Sequence, residues 1–355
     1  MILAEKTRSC TLVVSKGQSR NPAKRALEQA IADAAGKIDD LDVVIVPHLY
    51  DLPKDGESMN RLRDIEGDVI LASWIFPRAA HWVLDRNGVG GHVGDVLLGA
   101  EDDDAVEEDA ALTSATDNED AGDENAGDED AGDEEPKIRM TELHPRPERK
   151  IFCVDLRTSE TTSEFVGEIL RILELDNKGI TPDALDARSL PIVGGKIETV
   201  EETAGRRWYP VIDYSRCTNC MECVDFCLFG VYGVDGAESI LVEQPDNCRK
   251  GCPACSRVCP ENAIIFPQHK APAIAGAETE GDEGFKIDLS QLFGAPVGSD
   301  DPIETAARER DEQLLLAGRG TVGIDEKLKK RQSDRLQGPK DDLDRLVDSL
   351  DEMEL

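Results

Sequence analysis

The residues of this chain best suited to chemistry are eight cysteines in two runs. The first run is Cys217-Thr218-Asn219-Cys220-Met221-Glu222-Cys223-Val224-Asp225-Phe226-Cys227. The second is Cys248-Arg249-Lys250-Gly251-Cys252-Pro253-Ala254-Cys255-Ser256-Arg257-Val258-Cys259. A shift of 32 residues lays Cys220, Cys223 and Cys227 on Cys252, Cys255 and Cys259, and a shift of 31 lays Cys217 on Cys248. The region is therefore an internal repeat with one residue inserted in its second copy. Three thiolates spaced C-x2-C-x2-C share one tight loop and can hold three corner irons of a cubane. The fourth cysteine opens a short helix that leads away, so it is poorly placed for its own loop's cluster and well placed for the other. Zinc is the competing occupant, but zinc sites usually draw on two cysteine pairs separated by a long loop. Here a third and a fourth cysteine crowd each pair, and Pro260 follows the last.

With these motifs, residues 208–270 resemble the bacterial-type 2×4Fe–4S (dicluster) ferredoxin family. The resemblance implies a small α+β domain whose two 4Fe–4S clusters pass electrons one at a time. It implies that Cys217, Cys220, Cys223 and Cys259 hold one cluster, and that Cys248, Cys252, Cys255 and Cys227 hold the other. Leu228 stands where that family has a proline, and the second run opens with three intervening residues rather than two. Both departures touch local loop geometry and leave all eight ligands in place. The function this implies is that of an electron carrier, or the electron-transfer subunit of a larger assembly, working with redox partner proteins. Two other classes stay open: a redox or tetrapyrrole-related enzyme whose α/β domain is served by the clusters, and an interaction scaffold in which the clusters are structural. No catalytic residue is assigned.

The elements around the runs must position them. Each half begins with an extended arm, Val211–Tyr214 and Ile240–Glu243. Ile212, Phe226, Phe229, Ile264 and Ile265 are candidates for apolar cover, and the aromatic and methionine side chains nearby read as packing. Residues 210–269 carry eight acidic and four basic side chains, so a low reduction potential is expected. Cys10 and Cys153 sit at strand edges far from the runs and read as small buried hydrophobes.

Upstream, residues 10–99 alternate short apolar runs with helical periodicity: Thr11–Val14, a helix over 22–35 opened by Pro22, Leu41–Val46, a helix over 57–65, Asp68–Ala72 and a helix over 77–86. Strands alternating with helices imply an α/β domain with a mostly parallel sheet. Gly88, Gly90, Gly91 and Gly94 follow a helix and lack the dinucleotide pattern, so they read as a loop. Residues 101–135 contain 18 acidic side chains and no Lys or Arg, with a five-residue repeat beginning at Ala121, Ala126 and Ala131. Such a segment reads as a disordered acidic linker. Ile151–Val154 reads as a further strand, and Thr161 with Glu164 as a capping box before the stripe Phe165, Val166, Ile169, Leu170 and Leu173. That pair could complete the first sheet and turn the acidic run into an insertion.

The expected organisation is thus an α/β domain over 1–99 and 137–205, an acidic segment over 100–136, a cluster domain over 206–272 and a largely disordered tail over 273–355. The tail carries one helix from Pro302 to before Gly318 and another over Leu343–Leu350, which either folds back or binds a partner.

The segment Leu12–Pro22 and the segment Phe76-Pro77-Arg78-Ala79-Ala80-His81 resemble parts of the sirohydrochlorin cobaltochelatase family. This resemblance implies an α/β fold of that kind. The family's first metal-binding histidine falls on Lys16, whose ammonium is a poor ligand, so no chelatase residue is carried over.

The formal net charge is −34, and no basic face offsets the acidic runs, which excludes nucleic acid as an expected partner. No apolar stretch approaches the ~20 residues of a membrane span. The N-terminus lacks a signal pattern, which points to the cytoplasm and to cysteines used for metal rather than disulfides.

Overall fold

The computed structural model describes residues 9–99, 139–143, 146–174, 195–278 and 302–323. The acidic run and the suggested Leu343–Leu350 helix lie outside them. No helix among the described residues is long and apolar enough to cross a membrane.

Six strands form one parallel sheet: β1 Cys10–Ser15, β2 Leu41–Val46, β3 Asp68–Ser73, β4 His92–Val93, β5 Lys150–Asp155 and β6 Ile197–Thr199. Their order is β4-β5-β3-β1-β2-β6, and every pairing is parallel. Parallel strands buried on both faces need continuous apolar runs, and β1, β2 and β3 supply them. Alternation sorts their side chains: Leu12, Val14, Val43, Ile45 and Ile70 enter one core, while Val13, Val44, Val46, Val69 and Leu71 enter the other. Helices α1 Pro22–Ala35 and, further along the chain, Thr162–Ile172 cover the first face through Ile31, Phe165 and Ile169. Helices α2 Glu57–Arg63 and α3 Pro77–Arg86 cover the second through Met59, Leu62, Ala79 and Val83. Asn21 caps α1 by accepting from the Ala23 N–H at 3.0 Å, ahead of Pro22 in the first turn.

β5 lies between β3 and β4, with Leu71 opposite Cys153. The strand that follows the acidic run is therefore an inner strand of the sheet begun by residues 10–73. Two local expectations are corrected. The glycine-rich stretch contains the short strand β4, because the His92 and Gly94 N–H groups bond to the Arg149 and Ile151 carbonyls. Thr161 makes no side-chain cap. Its own N–H, which a capping box would offer to Glu164, already donates to Ser159 Oγ at 2.9 Å.

The cysteine region packs on the α2/α3 side of the sheet. Its antiparallel pairs are β7 Val211–Ile212 with β10 Ile264–Ile265, and β8 Tyr232–Val234 with β9 Ile240–Val242. Between the strands lie two five-residue helices, Glu222–Phe226 and Ala254–Val258. Strand, helix and strand thus recur in each half, and the halves pair reciprocally, as an internal repeat folded about a pseudo-twofold axis must.

The two regions share a core. Tyr209, Val211 and Ile265 are buried in the same cluster as Val13, Leu62 and Val83. Tyr50 and Tyr209 stack at 4.3 Å, and Tyr50 Oη accepts from the Tyr209 N–H at 2.6 Å while Tyr209 Oη donates to the Tyr50 carbonyl at 3.0 Å. Arg78 of α3 reaches Asp213, just after β7, at 2.6 Å, with the two side chains 5% and 2% exposed. Arg78 also donates to the Asn262 carbonyl.

Candidate iron–sulfur centre

The first cysteine run curls because Asn219 and Met221 adopt left-handed backbone angles, φ 59° and 64°. Asn219 is suited to this, since its side chain accepts from the Ile240 N–H at 3.0 Å and donates to the Glu238 carbonyl at 2.7 Å. The curl aims the Asn219 N–H at Cys217 Sγ, 3.4 Å away. In the second run the inserted residue is absorbed in a turn with Gly251 at φ 87°, a conformation glycine adopts without steric cost.

The thiols fall into two electrostatic neighbourhoods that cross the chain order. Burial pushes the Cys223 thiol well up, and Cys259, Cys220 and Cys217 push it further. Burial raises Cys259 to about 11, with Cys220 and Cys217 among its neighbours. In the second neighbourhood burial raises Cys255, then Cys248, Cys227 and Cys252 add to it. Cys248 is raised by burial and next by Cys252 and Cys227. Cys259 therefore sits with the first run, and Cys227 with the second. Cys10 and Cys153 lie elsewhere, in β1 and β5, where burial raises each thiol to about 12.

These donor sets fit an iron–sulfur cluster. Cys217, Cys223, Cys252 and Cys255 are buried, and thiols raised by burial and by neighbouring cysteines are poor hosts for bare negative charge. Bound metal reverses the penalty, because it takes the thiolate form and supplies the positive charge. Among the described residues, no three or more His, Cys, Asp or Glu side chains converge tightly enough for a single metal ion. Four sulfurs on one zinc would sit about 3.8 Å apart, as follows from a zinc–sulfur bond of about 2.3 Å. A cubane places one thiolate on each of four irons and needs a wider ring.

Several neighbours of the sulfurs carry no sequence signal of their own. Tyr232, one of the aromatics read as packing, donates from Oη to Cys255 Sγ at 3.1 Å. The Ala263 N–H reaches Cys259 Sγ at 3.3 Å, and Trp208 Nε1 donates to the Cys252 carbonyl at 3.2 Å. Met140, 2% exposed, packs against Cys217 and Cys223, and its N–H donates to the Cys217 carbonyl at 3.0 Å. Of the apolar residues expected as cover, Ile212 and Ile264 pack in one cluster with Cys217, Cys223 and Cys255, and Phe226 packs with Cys252. Phe229 is half-buried beside Arg249. Ile265 instead turns into the core shared with the sheet, because it is one residue out of phase with Ile264. The helix Pro302–Leu316 places Ile303 and Ala306 against Phe226 and Cys252, and Glu309 pairs with Arg257 at 2.9 Å.

Lys16 and His81, the two positions compared above with chelatases, line different cavities: Lys16 one with Arg25 and His48, His81 one with Trp82 and Arg146.

Over 66 residues the chain is 50% identical to an uncharacterized ferredoxin of Methanocaldococcus jannaschii. The match covers 18% of this chain and 44% of that relative, so the chain spans less than half the length of the protein it matches. It supports a ferredoxin-like iron–sulfur region here. No family model matches the chain, and no solved structure matches it.

Proposed function

We propose that this chain is an iron–sulfur electron carrier, or the electron-transfer subunit of a larger assembly, holding two 4Fe–4S clusters. Cys217, Cys220, Cys223 and Cys259 hold the first, and Cys248, Cys252, Cys255 and Cys227 hold the second. The observation that supports this reading is the exchange of the fourth cysteine of each run into the other run's neighbourhood, the arrangement that two-cluster ferredoxins use. When bound, each cluster supplies one-electron redox chemistry. The chain's part is to hold the sulfurs, shield them with Ile212, Ile264 and Met140, and donate to them from Asn219, Tyr232 and Ala263. Its partners are proteins that exchange electrons with the clusters. The α/β sheet serves as the platform that fixes the first cluster through Arg78, Asp213 and the Met140 segment.

Protein purified without oxygen is expected to be brown, with iron and acid-labile sulfide each near about eight per chain, four for each cubane. Stoichiometric zinc with little iron would sink the proposal.

A further inference from the structure

A cavity of about 1140 Å³ opens between the sheet and the cysteine region. Segments leaving the carboxyl ends of β3 and β5 give it Phe76 and Asp155, α3 gives it His81 and Trp82, and the strap after α3 gives it Val93 and Leu97. Ser215 and Arg216 close it on the other side, one residue before Cys217. Open α/β sheets bind ligands outside the carboxyl ends of their strands, and small-molecule sites favour the clefts between packed units. Such sites usually measure about 300–1,000 Å³, so a molecule of several rings has room here.

The lining narrows the occupant. Phe76 and Trp82 form an aromatic wall in which one face of each ring is already covered, by Arg157 at 3.6 Å and Arg146 at 4.5 Å. The arginines in and beside this wall are matched by carboxylates: Arg78 by Asp213 at 2.6 Å, Arg146 by Asp85 at 2.9 Å, Arg216 by Glu278 at 2.7 Å and Arg157 by Asp155 at 2.5 Å. Burial, with Arg146 beside it, lowers His81 to about 4, so its imidazole is neutral near pH 7. A phosphate or a polycarboxylate would find its natural partners already committed. Val93 and Leu97 at the mouth are 69% and 59% exposed, apolar surface that an apolar occupant would cover.

We propose that this cavity is a binding site for an uncharged, conjugated multi-ring molecule of the flavin or quinone ring type. The proposal concerns binding and stands apart from the redox state of the clusters.

Riboflavin and FMN make a matched probe pair, one ring system without and with a phosphate. Equilibrium dialysis of the iron-loaded full chain should give saturable riboflavin uptake, at least as tight as that of FMN. Val93→Glu with Leu97→Glu, both at exposed positions, should weaken riboflavin tenfold or more with iron content unchanged. Leu97→Glu alone serves if the double variant loses iron, and it should weaken riboflavin in the same direction. Absence of saturable riboflavin uptake, a tenfold preference for FMN, or unchanged uptake in the variants would overturn the proposal. Those failures with iron intact count against the cavity alone, whereas riboflavin uptake by an iron-poor protein counts against the clusters alone.

Discussion

The two halves of the cysteine repeat share a spacing and a secondary structure but not their surroundings. The first run is enclosed from the sheet side: Met140 covers its thiols, Arg78 holds Asp213 just upstream, and Arg216 borders the cavity. The second run has additional neighbours of its own. Arg249 and Lys250 are exposed beside Cys248, Cys248 itself packs against the core shared with the sheet, and Cys252 is covered by Ile303 and Ala306 of the helix Pro302–Leu316. One ladder of spacing has thus been placed among different neighbours, the Arg78–Asp213 pair and Met140 at the first run and the helix Pro302–Leu316 at the second. An iron–sulfur site's potential depends on hydrogen bonds to sulfur, burial and nearby charge, so sites with the same ligands in unlike environments need not behave alike.

The comparison is broken most severely at the exchanged cysteines. Cys227→Ala should strip the fourth ligand from the cluster on Cys248, Cys252 and Cys255, while the cluster on Cys217, Cys220 and Cys223 survives better. Cys259→Ala should give the mirror result. Iron content and site-resolved spectroscopy of the two variants read this directly, and selective loss of each variant's own-loop cluster would show sequential ligation instead.

A smaller effect is expected where the sheet meets the first half. Arg78→Met leaves buried Asp213 with only the more distant guanidinium of Arg216, at 3.7 Å. Removing one partner of a buried pair costs about 3–5 kcal/mol. Because Asp213 keeps its bonds from the Ser215 N–H and hydroxyl, the low end, about 3 kcal/mol, is expected. Thermal unfolding should show the loss, and it should touch the sheet and the first cluster together because their core is shared. An unchanged melting temperature would mean that the two regions are not coupled through this pair.

The finest distinction lies at Tyr232, whose hydroxyl donates to Cys255 Sγ at 3.1 Å. Tyr232→Phe should lower the second cluster's potential by about 40 mV, the one-electron equivalent of about 1 kcal/mol of hydrogen bond, and leave the first nearly unmoved. Redox titration followed by spectroscopy resolves the two. Equal shifts at both clusters would make Tyr232 a general packing residue.

Much of this was legible from short-range pattern. The strands β1, β2 and β3 show as apolar runs because a parallel sheet buries both faces, and α1 shows its start because Pro22 suits the first turn. The curl of the first cysteine loop is local as well, although that Asn219 and Met221 would take its left-handed positions is not written in the C-x2-C-x2-C spacing. Thr161 and Glu164 misled for a related reason: a capping box is a pattern of residue types, and Ser159 had already taken the N–H it needs. The difference between Ile264 and Ile265 also escaped a reading by composition, since both are equally apolar and only the register of β10 sends one toward the cysteines and the other toward the sheet.

The sequence by itself determined the eight-cysteine repeat, its single insertion and the alternation of strand and helix, because spacing and periodicity are properties of neighbouring residues. Only the tertiary structure decided that Met140, which follows the acidic segment in the chain, packs beside the first run, and that Arg78 finds Asp213 across 135 positions. It also decided that Tyr50 and Tyr209 lock the two regions into one core. Each of these depends on how far-separated segments pack, and a buried charge or hydroxyl takes its partner from whatever the fold brings within reach.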